Sequence, residues 1–262
     1  MKRSLQEFLK KQYALGKANA VIRGCFALFA ITLLISGWMI YSWFADGTSS
    51  RALFGSLALI RGGVSEDKED TKVIQEGYRD LYDRNPDLFG WIRINGTPID
   101  YPVMQTPYDP EYYINHDYDR SPSVYGVPFA QANCDPYLSD NIIIHAHHMK
   151  DGSMFAKLLS YQSKEFWEAH PTIEFDTLYE NYSYKVIAAF RTPANNGFRY
   201  TGFVYAQNES VFAAYVDKCL SLSLYDTGIT AEYGDKLITL ATCEYMLDDG
   251  RFVVVGRRKE SD

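Results

Sequence analysis

The uncharged run 24–45 constrains this chain more than any other feature. As an α-helix its 22 residues would be about 33 Å long, enough to cross a hydrocarbon core of about 30 Å. The run is apolar on every face, and Trp38, Tyr41 and Trp43 gather at its far end as aromatic residues do at a membrane interface. A buried core helix is usually shorter and keeps a polar side. We therefore predict one transmembrane helix.

The charges around this run indicate its orientation. Residues 1–23 carry six Lys and Arg against one acidic residue, Glu7, although the whole chain has a net charge of −7. By the positive-inside rule the basic flank stays in the cytoplasm and the chain from about residue 46 lies outside the cell. A cleaved signal peptide would have a shorter apolar run and a small-residue cleavage site, and no good site follows here. The acidic remainder argues against nucleic acid as a partner.

The segment after residue 70 predicts a mainly β domain. A helix of about four turns ends at Asn85-Pro86, and the Asn95-Gly96 turn joins two alternating runs into a hairpin. Further strands are predicted at 127–130, 141–145, 172–175, 184–190, 236–242 and 252–256, and helices at 153–159, 164–169 and 210–220. Many short strands with few helices between them indicate a mainly antiparallel barrel.

Cys243 directly follows the predicted strand 236–242. A strand end is a rigid place that still presents a side chain at the surface, which suits a nucleophile. By position alone a buried structural cysteine is the more frequent case, because free Cys is among the most buried residue types.

A histidine cluster follows another predicted strand. Three of the five histidines lie in the segment 145–148, at the end of the strand 141–145. A thiol needs a neighbouring imidazole or another cation to be mostly thiolate near neutral pH. Zinc binding is the rival interpretation, but the His-x-His-x-Asp-His pattern fails because Met149 and Lys150 occupy its last two positions.

Arg251 begins the last predicted strand, eight residues after Cys243. A tight connection between the two strands would bring Arg251 back beside the thiol, where a guanidinium stabilises a developing oxyanion. A solvated charge at a strand end, as at Arg257 and Arg258, is the alternative for Arg251 taken alone.

These three strand ends carry a family resemblance. TLATC before RFVVVGR, with NIIIHAHHM upstream, resembles the sortases, and GWIRINGTPIDYPVMQ with YYINHDYD resembles class B sortases. The resemblance covers about 70–258 and implies a sortase-type closed barrel of about eight strands, with N-terminal helices and a helix in the loop before the last two strands. The predicted segments are then a cytoplasmic stretch 1–23, an anchor 24–45, a linker 46–69 and a catalytic domain 70–262.

The resemblance also implies roles for particular residues. Cys243 would be the nucleophile, His147 the general acid and base, and Arg251 the third essential residue. The family's catalytic histidine follows a Tyr-Gly pair, which is His145-Ala146 here, so an assignment to His148 or a role for His145 stays open. Ala241 also departs from the small hydroxyl residue of some members. For the substrate groove we expect Asn115, Phe198, Tyr200, Thr242 and Glu244.

The function implied is that of a membrane-anchored transpeptidase. It would cleave a C-terminal sorting signal of secreted proteins after Thr, hold the protein as a thioester and pass it to a peptidoglycan amine. The partners would be signal-bearing proteins, the wall amine and the membrane, with no metal and no organic cofactor. A cysteine peptidase that transfers the acyl group to water and a non-catalytic adhesion domain are the alternatives. Whether Cys134 pairs with Cys219 stays open.

Overall fold

The computed structural model describes residues 28–41, 73–244 and 250–259, and gives the backbone of Cys243 and Glu244. The chain forms two compact units, Met1–Thr48 and Ser49–Asp262. Residues 28–41 of the first unit are helical with exposed side chains. Among the residues described, no helix reaches the length and hydropathy of a membrane crossing. The predicted segment 1–23, both ends of the predicted anchor and the predicted linker 46–69 lie outside the described residues.

Residues 73–244 and 250–259 of the second unit form eight strands. They are β1 (Leu88–Arg93), β2 (Asp100–Met104), β3 (Phe129–Ala130), β4 (Asn141–His145), β5 (Thr172–Thr177), β6 (Asn181–Pro193), β7 (Leu237–Glu244) and β8 (Gly250–Arg258). They close into a barrel in the order β1-β2-β3-β4-β7-β8-β6-β5. Six neighbouring pairs are antiparallel, while β2–β3 and β4–β7 are parallel. The predicted mainly β, mainly antiparallel closed barrel is confirmed.

The core of the barrel consists of aliphatic and aromatic side chains, and several strands are buried on both faces, as in the continuously buried Leu88–Ile92 of β1. Trp91, Ile92, Phe175, Phe190 and Phe252 are fully buried. Each such side chain contributes about 1.5–3 kcal/mol of transfer free energy when it leaves water. In β5, where buried residues alternate with half-buried ones, a shift by one residue would expose the apolar set, so this burial fixes the register of the strand.

In the described part of the second unit, three α-helices and three 3₁₀ segments accompany the barrel strands. The helices are α1 (Glu76–Arg84), α2 (Lys164–Ala169) and α3 (Glu209–Leu222), and the 3₁₀ segments are Tyr112–Ile114, Phe155–Gln162 and Tyr200–Gly202. The Asn208 side chain caps α3 by accepting a 3.0 Å hydrogen bond from the amide of Val211. The helix expected before the last two strands is α3.

Two sequence-based expectations about helices need correction. The first helix spans nine residues instead of about four turns, because extended Gln75 is held on the β5–β6 turn by hydrogen bonds to the carbonyls of Leu178 (2.8 Å) and Thr177 (3.0 Å). The helix predicted at 153–159 is a 3₁₀ segment that begins only at Phe155, since Met154 before it has φ +53° and cannot continue a right-handed helix.

Candidate active site

Cys243 and Arg251 are backbone register partners in the last hairpin of the barrel. In the antiparallel ladder between β7 and β8 the backbone of Cys243 pairs with that of Arg251, and Thr242 pairs with Phe252. On its other side Arg251 pairs with Thr192 of β6. The hairpin therefore brings Arg251 to the register position opposite the cysteine, as its sequence spacing predicts.

Parallel pairing of β4 with β7 brings the histidine segment to the same end of the barrel. His145 is the register partner of Ala241, and the amide of Ala146 donates to the Ala241 carbonyl at 3.2 Å. The buried hydroxyl of Thr242 then donates to the Ala146 carbonyl at 2.8 Å. The peptide that leads into His147 is thus fastened to the residue that precedes Cys243.

The ring of His147 forms a hydrogen bond to a main-chain carbonyl. Its Nε2 lies 2.6 Å from the carbonyl oxygen of Ile114, which belongs to the loop between β2 and β3. Because a carbonyl only accepts, Nε2 carries the hydrogen. This partner was not expected from the sequence, since every residue has a carbonyl and only the fold selects one of them.

His145 lies in a different environment from that of His147. Its ring sits between Phe129 and Tyr200, with centroid separations of 5.6 and 6.4 Å. Burial, with the charge of Arg251 as a second cause, lowers the pKa of His145 to about 4. A neutral imidazole at physiological pH suits a packing role better than proton donation, which favours His147 over His145 as the general acid.

The loop that follows the histidines is held by backbone contacts. His148 forms an isolated antiparallel bridge with Met154, and the carbonyl of His147 accepts from the amide of Phe155 at 2.9 Å. The Tyr101 hydroxyl accepts from the amide of Met154 at 3.2 Å. These contacts close a turn over 148–154 that limits the movement of the His147 backbone.

The segment between β6 and α3 supplies the aromatic part of the site. The amide of Phe198 donates to the hydroxyl of Thr192 at 2.8 Å, and Thr192 is the register partner of Arg251. The Phe198 ring packs at 6.0 Å from Phe190 and at 5.6 Å from Tyr215. Phe198 is half-buried, so it combines a core contact with an open edge beside the strand that carries Arg251.

The other expected groove residues lie in contrasting positions. Asn115 is exposed directly after Ile114, and its carbonyl accepts from the amide of Ser123 at 2.9 Å. Tyr200 is buried against His145, and Thr242 is buried with its hydroxyl directed to Ala146, so both serve the packing of the site instead of an open surface. Glu244 occupies the last position of β7, opposite Gly250.

Outside this site, two further cysteines are free thiols. Cys134 and Cys219 are buried and form no disulfide, so the pairing left open by the sequence does not occur here. Burial raises the pKa of Cys134 to about 11 and that of Cys219 to about 12. Within the described ranges there is also no group of three or more His, Cys, Asp or Glu side chains suited to a metal ion.

Comparisons with known proteins agree with this geometry. A family model described as "Sortase domain" matches residues 92–259. The chain is 32% identical to sortase B of Listeria monocytogenes over 95% of this chain and 98% of that protein. It is also similar to the crystal structure of B. anthracis sortase B (TM-score 0.73, 27% identity) and to a Staphylococcus aureus sortase B–substrate complex (TM-score 0.73, 26% identity), each covering 83% of this chain and 100% of the solved chain.

Proposed function

Because this chain belongs to the sortase family and is a class B cysteine transpeptidase, we propose that it cleaves a C-terminal sorting signal of secreted proteins after Thr and transfers them to a peptidoglycan amine. The observation that carries the proposal is the meeting of β4, β7 and β8 at one end of the barrel. It brings the segments of His147, Cys243 and Arg251 together, although about 100 residues separate the histidine from the cysteine.

The reaction we propose has two acyl-transfer steps. The Cys243 thiolate attacks the carbonyl carbon of the signal's Thr, and the tetrahedral intermediate collapses to a thioester as the C–N bond breaks. His147 in its protonated form gives a proton to the leaving amine nitrogen. In the second step His147 takes a proton from the incoming wall amine, which attacks the thioester and releases the Cys243 sulfur.

Arg251 is assigned the stabilisation of charge in this scheme. Negative charge develops on the carbonyl oxygen when the thiolate adds, and a fixed guanidinium is an effective donor for it. Support comes from the register position of Arg251 opposite Cys243 and from the hydrogen bond of its Nη1 to the Gly250 carbonyl at 3.0 Å, which restrains the side chain.

The peptide groove is proposed to run past Phe198 and Asn115. The half-buried ring of Phe198 offers an apolar contact, and the exposed amide of Asn115 offers a polar one beside the Ile114–His147 contact. A substrate complex of the S. aureus relative supports a peptide-binding groove in this fold. We place Glu244 at the same groove by its strand position next to Cys243.

We also propose that the enzyme is held in the cell membrane by the run 24–45. The proposal has its support in the length and apolarity of that run and in the basic residues that precede it. Residues 1–23 would then be cytoplasmic, 46–69 would link the anchor to the domain, and the catalytic domain 70–262 would face the cell wall.

A panel of fluorogenic sorting-signal peptides tests the reaction. The full chain in detergent micelles is assayed with and without an amine acceptor, beside Cys243→Ala and the matched control Cys219→Ala. We expect cleavage after Thr, a product joined to the acceptor and complete loss in Cys243→Ala only. Turnover unchanged by the acceptor, with no joined product, would indicate a peptidase, and cleavage that survives Cys243→Ala would overturn the mechanism.

A further inference from the structure

The hydrogen bond between His147 and Ile114 assigns a proton to one ring nitrogen. Nε2 lies 2.6 Å from the Ile114 carbonyl oxygen and must donate to it. In the neutral ring the lone pair is then on Nδ1, which becomes the nitrogen that exchanges protons. The position of one main-chain carbonyl therefore selects the tautomer of this histidine.

Close backbone packing holds that carbonyl in place. Gly126 has φ +59°, and a Cβ atom there would lie 2.5 Å from the Tyr113 oxygen and 2.6 Å from the Ile114 oxygen. The amide of Val127 donates to the Tyr113 carbonyl at 2.9 Å. Only glycine allows the 126–127 backbone to approach the end of the 3₁₀ segment so closely.

A polar cluster of buried Tyr113 and Asn85, half-buried Asp87 and exposed Arg120 anchors the same segment. The Tyr113 side chain is fully buried, its hydroxyl donates to Asp87 Oδ2 at 2.8 Å, and it accepts from Asn85 Nδ2 at 2.7 Å. Arg120 donates to Asp87 Oδ2 at 2.8 Å and to Asn85 Oδ1 at 3.0 Å. Burial raises the pKa of Tyr113 to about 12, so the phenol keeps its proton.

The cluster joins the β2–β3 loop to the junction of α1 and β1. Asn85 is the residue at the C-terminal end of α1, and its Nδ2 also donates to the Tyr118 carbonyl at 2.6 Å. A buried amide that makes three hydrogen bonds to one loop permits little movement of that loop. None of the four side chains bonds to His147, so their effect passes through the Tyr113–Ile114 backbone.

We propose that Tyr113, supported by Asn85, Asp87 and Arg120, is a positioning residue that holds the Ile114 carbonyl on His147 Nε2 and so reserves Nδ1 for proton exchange. The proposal rests on the function assigned to His147 above. In it the Cys243 thiol proton passes to Nδ1, the imidazolium keeps its Nε2–H on Ile114, and the Nδ1 proton later goes to the leaving amine.

The first test reads the tautomer without any substrate. The full chain in micelles, labelled with ¹⁵N-histidine, is studied by long-range ¹H–¹⁵N spectra at pH 8, and His147→Gln assigns the signal. We expect the Nε2–H form in the native protein and a mixture of tautomers in Tyr113→Phe. An Nδ1–H ring in the native protein would overturn the proposal without recourse to any variant.

The second test reads reactivity, with Tyr118→Phe as the matched control. Tyr118 is a buried tyrosine of the same loop whose hydroxyl bonds to the Leu81 carbonyl outside the cluster. We expect Tyr113→Phe to lower kcat and the rate of Cys243 alkylation at pH 7 by about tenfold with KM changed less than about twofold, as loss of a positioning contact does. Tyr118→Phe should lower Tm and leave both rates near the native values.

The outcomes separate this proposal from the proposed function. Unchanged tautomer, kcat and alkylation in Tyr113→Phe, or equal losses in Tyr118→Phe, would overturn the positioning role. Absence of peptide transfer by the native enzyme would instead count against the proposed reaction, while the tautomer and alkylation results would still decide the role of Tyr113.

Discussion

The hydroxyl of Thr242 donates a 2.8 Å hydrogen bond to the carbonyl of Ala146, so the residue before Cys243 holds the residue before His147. Both partners are at the ends of parallel strands whose pairing stops at His145 and Ala241. Beyond that point this side-chain bond continues the connection between the two segments. The spacing of the proposed nucleophile and the proposed base thus depends on a contact made by neither of them.

Thr242→Val should reduce the rate of the chemical step. Valine keeps the shape of threonine but removes the donor to the carbonyl of half-buried Ala146, which costs about 1 kcal/mol. We expect kcat for peptide transfer to fall about tenfold or more and Tm to fall by a few degrees. Thr242→Ser retains the donor and should restore most of the rate. Equal activity in the Val and Ser variants would contradict the role of this bond.

Arg251→Lys should be nearly as inactive as Arg251→Ala. A lysine retains the charge but lacks the planar set of donors that a guanidinium aims at an oxyanion, and loss of such a donor costs about 100-fold or more in kcat. The control is Arg257→Lys at the opposite end of β8, which should remain within about twofold of the native rate. Steady-state peptide kinetics distinguish the two, and a fully active Arg251→Lys would refute the oxyanion role.

Acid should destabilise the domain through His145. Its pKa is lowered from 6.5 to about 4, so between these values the unfolded chain binds more protons than the native state and stability falls as pH falls. The contribution is intact above about pH 6.5, and its loss, about 3 kcal/mol, is complete below about pH 4.

Urea unfolding at several pH values checks this effect. His145→Phe removes the titrating group and fits the aromatic surroundings of Phe129 and Tyr200, so it should flatten the acid limb of the stability curve. His170→Gln, beside the Asn95–Gly96 turn, is the control and should leave that limb in place. A native curve with no loss between pH 6.5 and 4 would contradict the burial of His145.

Iodoacetamide should distinguish Cys243 from the two buried thiols. With pKa values of about 11 and 12, Cys134 and Cys219 are thiolates in fewer than about one molecule in a thousand at pH 8, and burial also blocks access. Mass mapping of the native full chain should find both unmodified until urea is added. A Cys134–Cys219 disulfide under non-reducing conditions would contradict their free state.

Sequence patterns predicted the strands best where apolar runs are continuous. Asn141–His145 has the predicted bounds because its Ile residues are buried on both sides. By contrast β6 runs to 13 residues, since its polar ends are extended by pairing with β5 and β8, which the local sequence does not encode. Tertiary pairing overrides local propensity at such strand ends.

Some contacts of the candidate site were likewise predictable from the sequence, while others were not. The spacing of Cys243 and Arg251 predicted their approach, because eight residues suffice only for a hairpin. The partner of Thr242 lies 96 residues away and the Ile114 carbonyl lies 33 residues from His147, and neither contact has a local signal. The glycine at 126 is the single hint, since it marks a close backbone approach.

The parallel pairing of β4 with β7 also determines at which stage of folding the candidate site is assembled. Parallel neighbours cannot form a local hairpin, and these two strands are joined through a connection of more than 90 residues. Contacts of such long range form late in folding. The segments of His147 and Cys243, the proposed base and nucleophile, are therefore apart in an incompletely folded chain and come together only once β7 and β8 have paired with the barrel. We therefore expect the enzyme to stay inactive during its own synthesis until β7 has paired with β4.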